Sequence, residues 1–142
     1  MRYKPNDGHN PSSENKVLTV FERIGQVGCV FSVLCFNDTN PRGLEPWLAW
    51  LLAAALLTLL YECWWIRYFC GKHTVSDLYR PFFGISVPGA VFPVVTFLFI
   101  GIYGKVIWLM ISAVIFGIGH IGIHLQNMKS LDKKVEMTSH GT

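Results

Sequence analysis

Four long apolar runs, separated by short polar stretches, set the pattern of the chain. They cover about residues 17–36, 46–69, 81–103 and 106–126. A bilayer core of about 30 Å needs roughly 20 helical residues, so each run is long enough to be a membrane-crossing helix. The first is broken by Glu22, Arg23 and Gln26. The second contains LLAAALLTLL and opens with Pro46 after Glu45, a position where proline begins a helix well. The third holds Pro88 and Pro93; each removes a backbone donor and crowds the preceding turn, so a kink is predicted there. Tyr103-Gly104-Lys105 leaves almost no loop between the third and fourth runs, which makes them antiparallel neighbours.

The expected fold is therefore an all-α integral membrane four-helix bundle, with the third helix kinked at Pro88 and Pro93. Residues 1–16 are a polar cytoplasmic segment, 17–126 the bundle and 127–142 a polar cytoplasmic tail. The polar start lacks the apolar core of a cleavable leader, so the first run is expected to be an uncleaved span.

Composition agrees with the membrane class. Hydrophobic residues make up 51% of the 142 and charged residues 15%, against about 25% charged in a typical soluble domain. The net charge is +3, but the basic residues lie between apolar runs and at the ends. They form no basic, aromatic-interleaved surface, so nucleic acid is not an expected partner. Their placement instead predicts orientation. With the N-terminus inside, Arg2, Lys4, Lys16, Arg23, Arg67, Lys72, Arg80, Lys129, Lys133 and Lys134 fall on or near the cytoplasmic side, and only Arg42 and Lys105 outside. Both ends are then cytoplasmic. Trp47, Trp50, Tyr103 and Trp108 form an outer aromatic belt, and Tyr61, Trp64, Trp65 and Tyr68 an inner one.

Small and polar residues mark helix contacts in lipid. Each run has such a face: Glu22, Gly25, Gln26 and Cys29; Ala55, Thr58 and Glu62; Ser86, Gly89, Pro93 and Thr96; Ala113, Gly117, His120 and His124. These faces are expected to meet inside the bundle. The four cysteines read as small buried apolar residues.

Ionisable residues within spans are functional candidates by default. At about 1.5 Å per residue, Glu22, Glu62 and His120 each lie roughly 7–10 Å from the cytoplasmic end of their helices, with His124 nearer that end. Two carboxylates and two imidazoles can thus meet at one depth, with Gln26 beside them. Three readings follow: an ion-pair network that sets helix register, a proton or cation relay, or a divalent-metal site. His120 and His124 are four apart on one face and, with Glu22 and Glu62, could supply the four ligands that zinc accepts. Arg67, Lys72 and Arg80 form a basic stretch suited to anionic lipid or a partner subunit.

FERIGQVG (residues 21–28) and FGIGHIGIH (residues 116–124), at the two ends of a four-span layout, resemble a group of small bacterial inner-membrane proteins without assigned activity. The resemblance implies the bacterial plasma membrane as location and carries no functional residue with it. Small multidrug exporters also have four spans and an essential glutamate in the first. Their tight loops and weak charge bias differ from this chain, so the likeness is architectural. The functional expectation is a small transporter, channel or accessory membrane subunit that uses the Glu/His cluster. The alternatives are a membrane-embedded metal-dependent enzyme and a non-catalytic scaffold. Lipid is the expected surrounding, with association into a homo-oligomer or larger membrane complex.

Overall fold

The computed structural model describes residues 15–41, 43, 45–72, 74, 79, 84, 85 and 87–139, without the side chains of 134–136, 138 and 139. Four α-helices account for most of them: α1 (Lys16–Cys35), α2 (Ala49–Phe69), α3 (Pro88–Gly104) and α4 (Ile107–Ser139). The N-terminal segment 1–14 lies outside the described residues.

Local chemistry explains each boundary. Asn15 caps α1, its side-chain oxygen accepting from the Val17 N–H at 3.0 Å. A 3-10 turn over Pro46–Leu48 leads straight into α2, so helical structure runs from Pro46 to Phe69. The turn from α3 to α4 closes on Lys105, which takes a left-handed conformation (φ 55). The Val106 N–H bonds Gly101 O at 3.0 Å and the Lys105 N–H bonds Ile102 O at 3.2 Å. This paired closure satisfies the last carbonyls of α3 without a long loop.

The third helix differs from its expected form. Pro88 does not interrupt it; Pro88 begins it, and only Pro93 is interior. A missing N–H is harmless in the first helical turn. Val87, before the proline, is kept out of the helical region at φ −134 and ψ 64. Residues 81–83 and 86 lie outside the described residues. The described helix has 17 residues, about 25 Å at 1.5 Å each. The segments Lys16–Cys35, Pro46–Phe69 and Ile107–Lys133 are long and apolar enough to cross a membrane, and Pro88–Gly104 is a shorter apolar helix. Helix α4 also continues past residue 126, where the apolar run ends, to Ser139. Leu131, Met128, Lys129, Lys133 and Lys134 in that stretch are all good helix formers.

The helices pack as a row. Helix α1 lies along α4, α4 along α3, and α3 along α2. Among the described residues α1 and α2 form no packed pair, so they are the two ends of the row and do not close a bundle. Neighbours are antiparallel throughout. Along α1 and α4, Leu18 meets Gly122, Glu22 meets Gly119, Gly25 meets Phe116 and Gly28 meets Ser112. Phe97 of α3 packs edge-on against Phe116 of α4. Trp50 of α2 meets Phe99 of α3, and the indole of Trp64 lies in the notch left by Gly89.

That last contact reorients α2. Its inward face carries Ala54, Trp64 and Tyr68, all buried, while Ala55, Thr58 and Glu62 are exposed. The small, polar face expected to point into the bundle points out of the row. A large indole filling a glycine notch buries more apolar area than that small face would.

The exterior is strongly apolar. Val17, Ile24, Val27, Phe31 and Leu34 on α1, and Leu52, Leu56, Leu59 and Ile66 on α2, are each more than half exposed. Such continuous apolar surface is foreign to a water-facing monomer and compatible with a membrane protein. At the end of the row near the α3–α4 turn, the Trp47 indole N–H donates to Tyr103 O at 2.9 Å, and the Tyr103 hydroxyl donates to Asn40 O at 3.3 Å.

One buried hydroxyl is left over. Among the described residues Thr96 Oγ1 has no hydrogen-bond partner, and a buried unpaired hydroxyl carries a desolvation penalty of about 1–3 kcal/mol. Thr96→Val is therefore expected to leave stability unchanged or raise it by about 1 kcal/mol in detergent unfolding. A clear loss would show that the hydroxyl has a partner in the membrane.

Candidate functional site

The seam between α1 and α4 holds the paired ionisable groups. Two glycines create it. A Cβ on Gly119 would meet the α1 backbone at Glu22, and would lie 2.6 Å from Leu18 O. A Cβ on Gly25 would meet the α4 backbone at Phe116 and lie 2.7 Å from its Cβ. Only hydrogen fits at either place, so the two backbones touch. His120, next to Gly119, is thereby carried against Glu22.

The His120 Nδ1 lies 2.7 Å from Glu22 Oε1. Their side chains are 19% and 24% accessible, shielded but reachable from outside the seam. In the tautomer whose Nδ1–H donates to the Glu22 carboxylate, Nε2 is the acceptor nitrogen of the ring. No partner bonds Nε2 among the described residues. The imidazole stacks on Phe116, with centroids 4.8 Å apart and planes at 21°. His124 stands one turn further on, edge to face with His120 at 4.8 Å, and Tyr79 is 5.9 Å from His124. An aromatic floor thus fixes His120, and a second imidazole continues the line toward the C-terminal part of α4.

The other expected members are elsewhere. Gln26 is exposed on α1. Glu62 is exposed on α2, at the far end of the row, and among the described residues has no hydrogen bond or ion pair. The structure therefore does not bring Glu62 to Glu22, His120 and His124. No group of three or more His, Cys, Asp or Glu side chains arranged to hold a metal ion occurs among the described residues. Among the described residues the four proposed divalent-metal ligands are not brought together, because Glu62 sits on a helix whose main packing partner is α3. A bundle would have closed that distance; a row does not.

Among the basic residues, Arg67 is half-buried in the last turn of α2 and engaged in an interaction, Lys72 is exposed just beyond that helix, and Arg80 lies outside the described residues. The cysteines also depart from expectation. All four are free, and only Cys29 is buried; Cys35, Cys63 and Cys70 are exposed. Cys29 packs with Leu109, Ala113 and Phe116 in the core of the α1–α4 seam.

Phe116, Gly119 and Tyr79 were not picked out by spacing. Gly119 had a readable signal, since it precedes His120 in a run of glycines at residues 117, 119 and 122. Tyr79 had none, because its contact comes from a connecting segment. No protein-family model, no curated protein and no solved structure matches the chain.

Proposed function

We propose that this chain is a four-span membrane protein with both ends in the cytoplasm, acting as a small transporter, channel or accessory membrane subunit. In this reading Glu22 and His120 take up and release a proton or cation near the cytoplasmic side, and His124 passes it along. The bacterial inner membrane suggested by the resemblance of residues 21–28 and 116–124 is the proposed location. One observation carries the reading: an acid–base pair at 2.7 Å, still partly accessible, in an otherwise apolar helix seam. Ionisable groups are retained in such surroundings mainly along ion and proton paths. An imidazole with one nitrogen bonded and the other open can accept a proton on one side and yield one on the other.

The test is proton conduction into proteoliposomes under an imposed membrane potential, read with an internal pH dye. The protein is expected to acidify the lumen, Glu22→Gln and His120→Gln to abolish the signal, and Glu62→Gln to keep it. Absence of conduction, or conduction unchanged in Glu22→Gln, overturns the relay.

A further inference from the structure

The ends of the row carry opposite charges at the same depth. Arg23 on α1 and Glu62 on α2 are both exposed, and among the described residues neither has a hydrogen bond or ion pair. Arg23 is seven residues from the start of α1, and Glu62 seven from the end of α2. The antiparallel packing of each neighbouring pair puts those two helix ends on one side of the molecule. Both charges therefore sit about 10 Å in from that side, at 1.5 Å per residue. The hydrocarbon at that depth offers neither of them a partner.

Shape agrees with charge. Arg23, Ile24, Val27, Gly28 and Phe31 line a shallow apolar trough of about 490 Å³ on the outer face of α1. On α2, Leu59 stands 62% exposed one turn from Glu62, beside the small residues Ala55 and Thr58. Small residues let helices approach closely in lipid, and a projecting leucine supplies the knob.

We propose that copies of this chain associate head to tail, α1 of one copy against α2 of the next, with Arg23 paired across the interface to Glu62. The proposal rests on the four-span reading. Each contact joins two different faces, so the interface is heterologous and closes into a ring when the rotation between copies permits. Because α1 and α2 run in opposite directions, all copies keep one orientation in the bilayer. The register that sets Arg23 beside Glu62 also sets Val27 beside Thr58, four residues away on each helix and both exposed.

The experiment is disulfide trapping in native membranes. Cys35, Cys63 and Cys70 are replaced by serine, leaving buried Cys29. Two differently tagged chains are co-expressed, one with Val27→Cys and the other with Thr58→Cys, and oxidised with copper phenanthroline. A mixed dimer is expected, and neither variant alone should cross-link to itself. Arg23→Glu or Glu62→Arg should lower the mixed dimer at least ten-fold, and the two changes together in every chain should restore it. Self-linked Val27→Cys or Thr58→Cys dimers, or no mixed dimer, overturn the arrangement. The four-span reading is checked separately with the natural cysteines. A membrane-impermeant maleimide applied to intact cells should label Cys35 and spare Cys70. If that pattern holds and trapping fails, only the interface falls; if the pattern fails, the span assignment falls with it.

Discussion

Gly25→Ala and Gly119→Ala are expected to be the most damaging conservative substitutions in the chain. At both positions the new methyl would overlap the backbone of the facing helix, Phe116 in one case and Leu18 to Glu22 in the other. Backbone cannot rotate aside, so α1 and α4 must separate along their length. That movement opens the core around Cys29, Leu109 and Ala113 and draws His120 from Glu22. Overpacking typically costs about 1–3 kcal/mol and sometimes more; these sites belong at the upper end, about 3 kcal/mol each. Gly117→Ala is the internal control. Its Cβ would meet chiefly the Val94 side chain, at 2.9 Å, which can adjust. Its expected loss is about 1 kcal/mol. Denaturant unfolding in mixed micelles reads all three. Equal losses at Gly25 and Gly117 would mean that the α1–α4 backbones do not touch.

The same seam shows what was legible beforehand. Apolar run length located α1 and α2 closely, because a predominantly apolar run of about 20 residues leaves few alternatives even where Glu22, Arg23 or Glu62 interrupts it. The helix formed by 107–139 was legible only to about 126, since hydropathy reports the apolar stretch and not the helix that carries it onward. Pro88 and Pro93 looked alike in sequence. Their roles separated only when the start of α3 was known, because a proline at the first turn and one in the interior differ in whether an N–H was needed.

The juxtaposition of Glu22 with His120 followed from depth plus antiparallel order, and depth is simple arithmetic on helix rise. Glu62 passed the same depth test and is nonetheless elsewhere. Depth constrains one coordinate; the order of helices in the row supplies the second. That order depends on which surfaces fit, here Trp64 on Gly89 and the glycine contacts between α1 and α4. Such fit is a pairwise property of two distant segments, and no single run of residues displays it.

The Glu22–His120 pair is expected to show strong coupling in a double-mutant cycle. Hydrogen bonds to charged groups contribute about 1.5–3 kcal/mol, and this one is short and mostly shielded. Glu22→Ala and His120→Ala should each cost about 2 kcal/mol. The double variant should cost less than their sum by at least about 1 kcal/mol, because neither leaves a lone partner behind. A coupling near zero would mean that the contact is absent in the bilayer. Glu22→Gln then separates the two uses of the pair. The amide can still bond Nδ1, so stability should stay within about 1 kcal/mol of the parent, but it has no titratable proton. Conduction lost with stability kept assigns the carboxylate a role in proton movement. Conduction kept with stability kept reduces the pair to a pin that holds α1 and α4 in register, the part that its place among the glycine contacts would also fit.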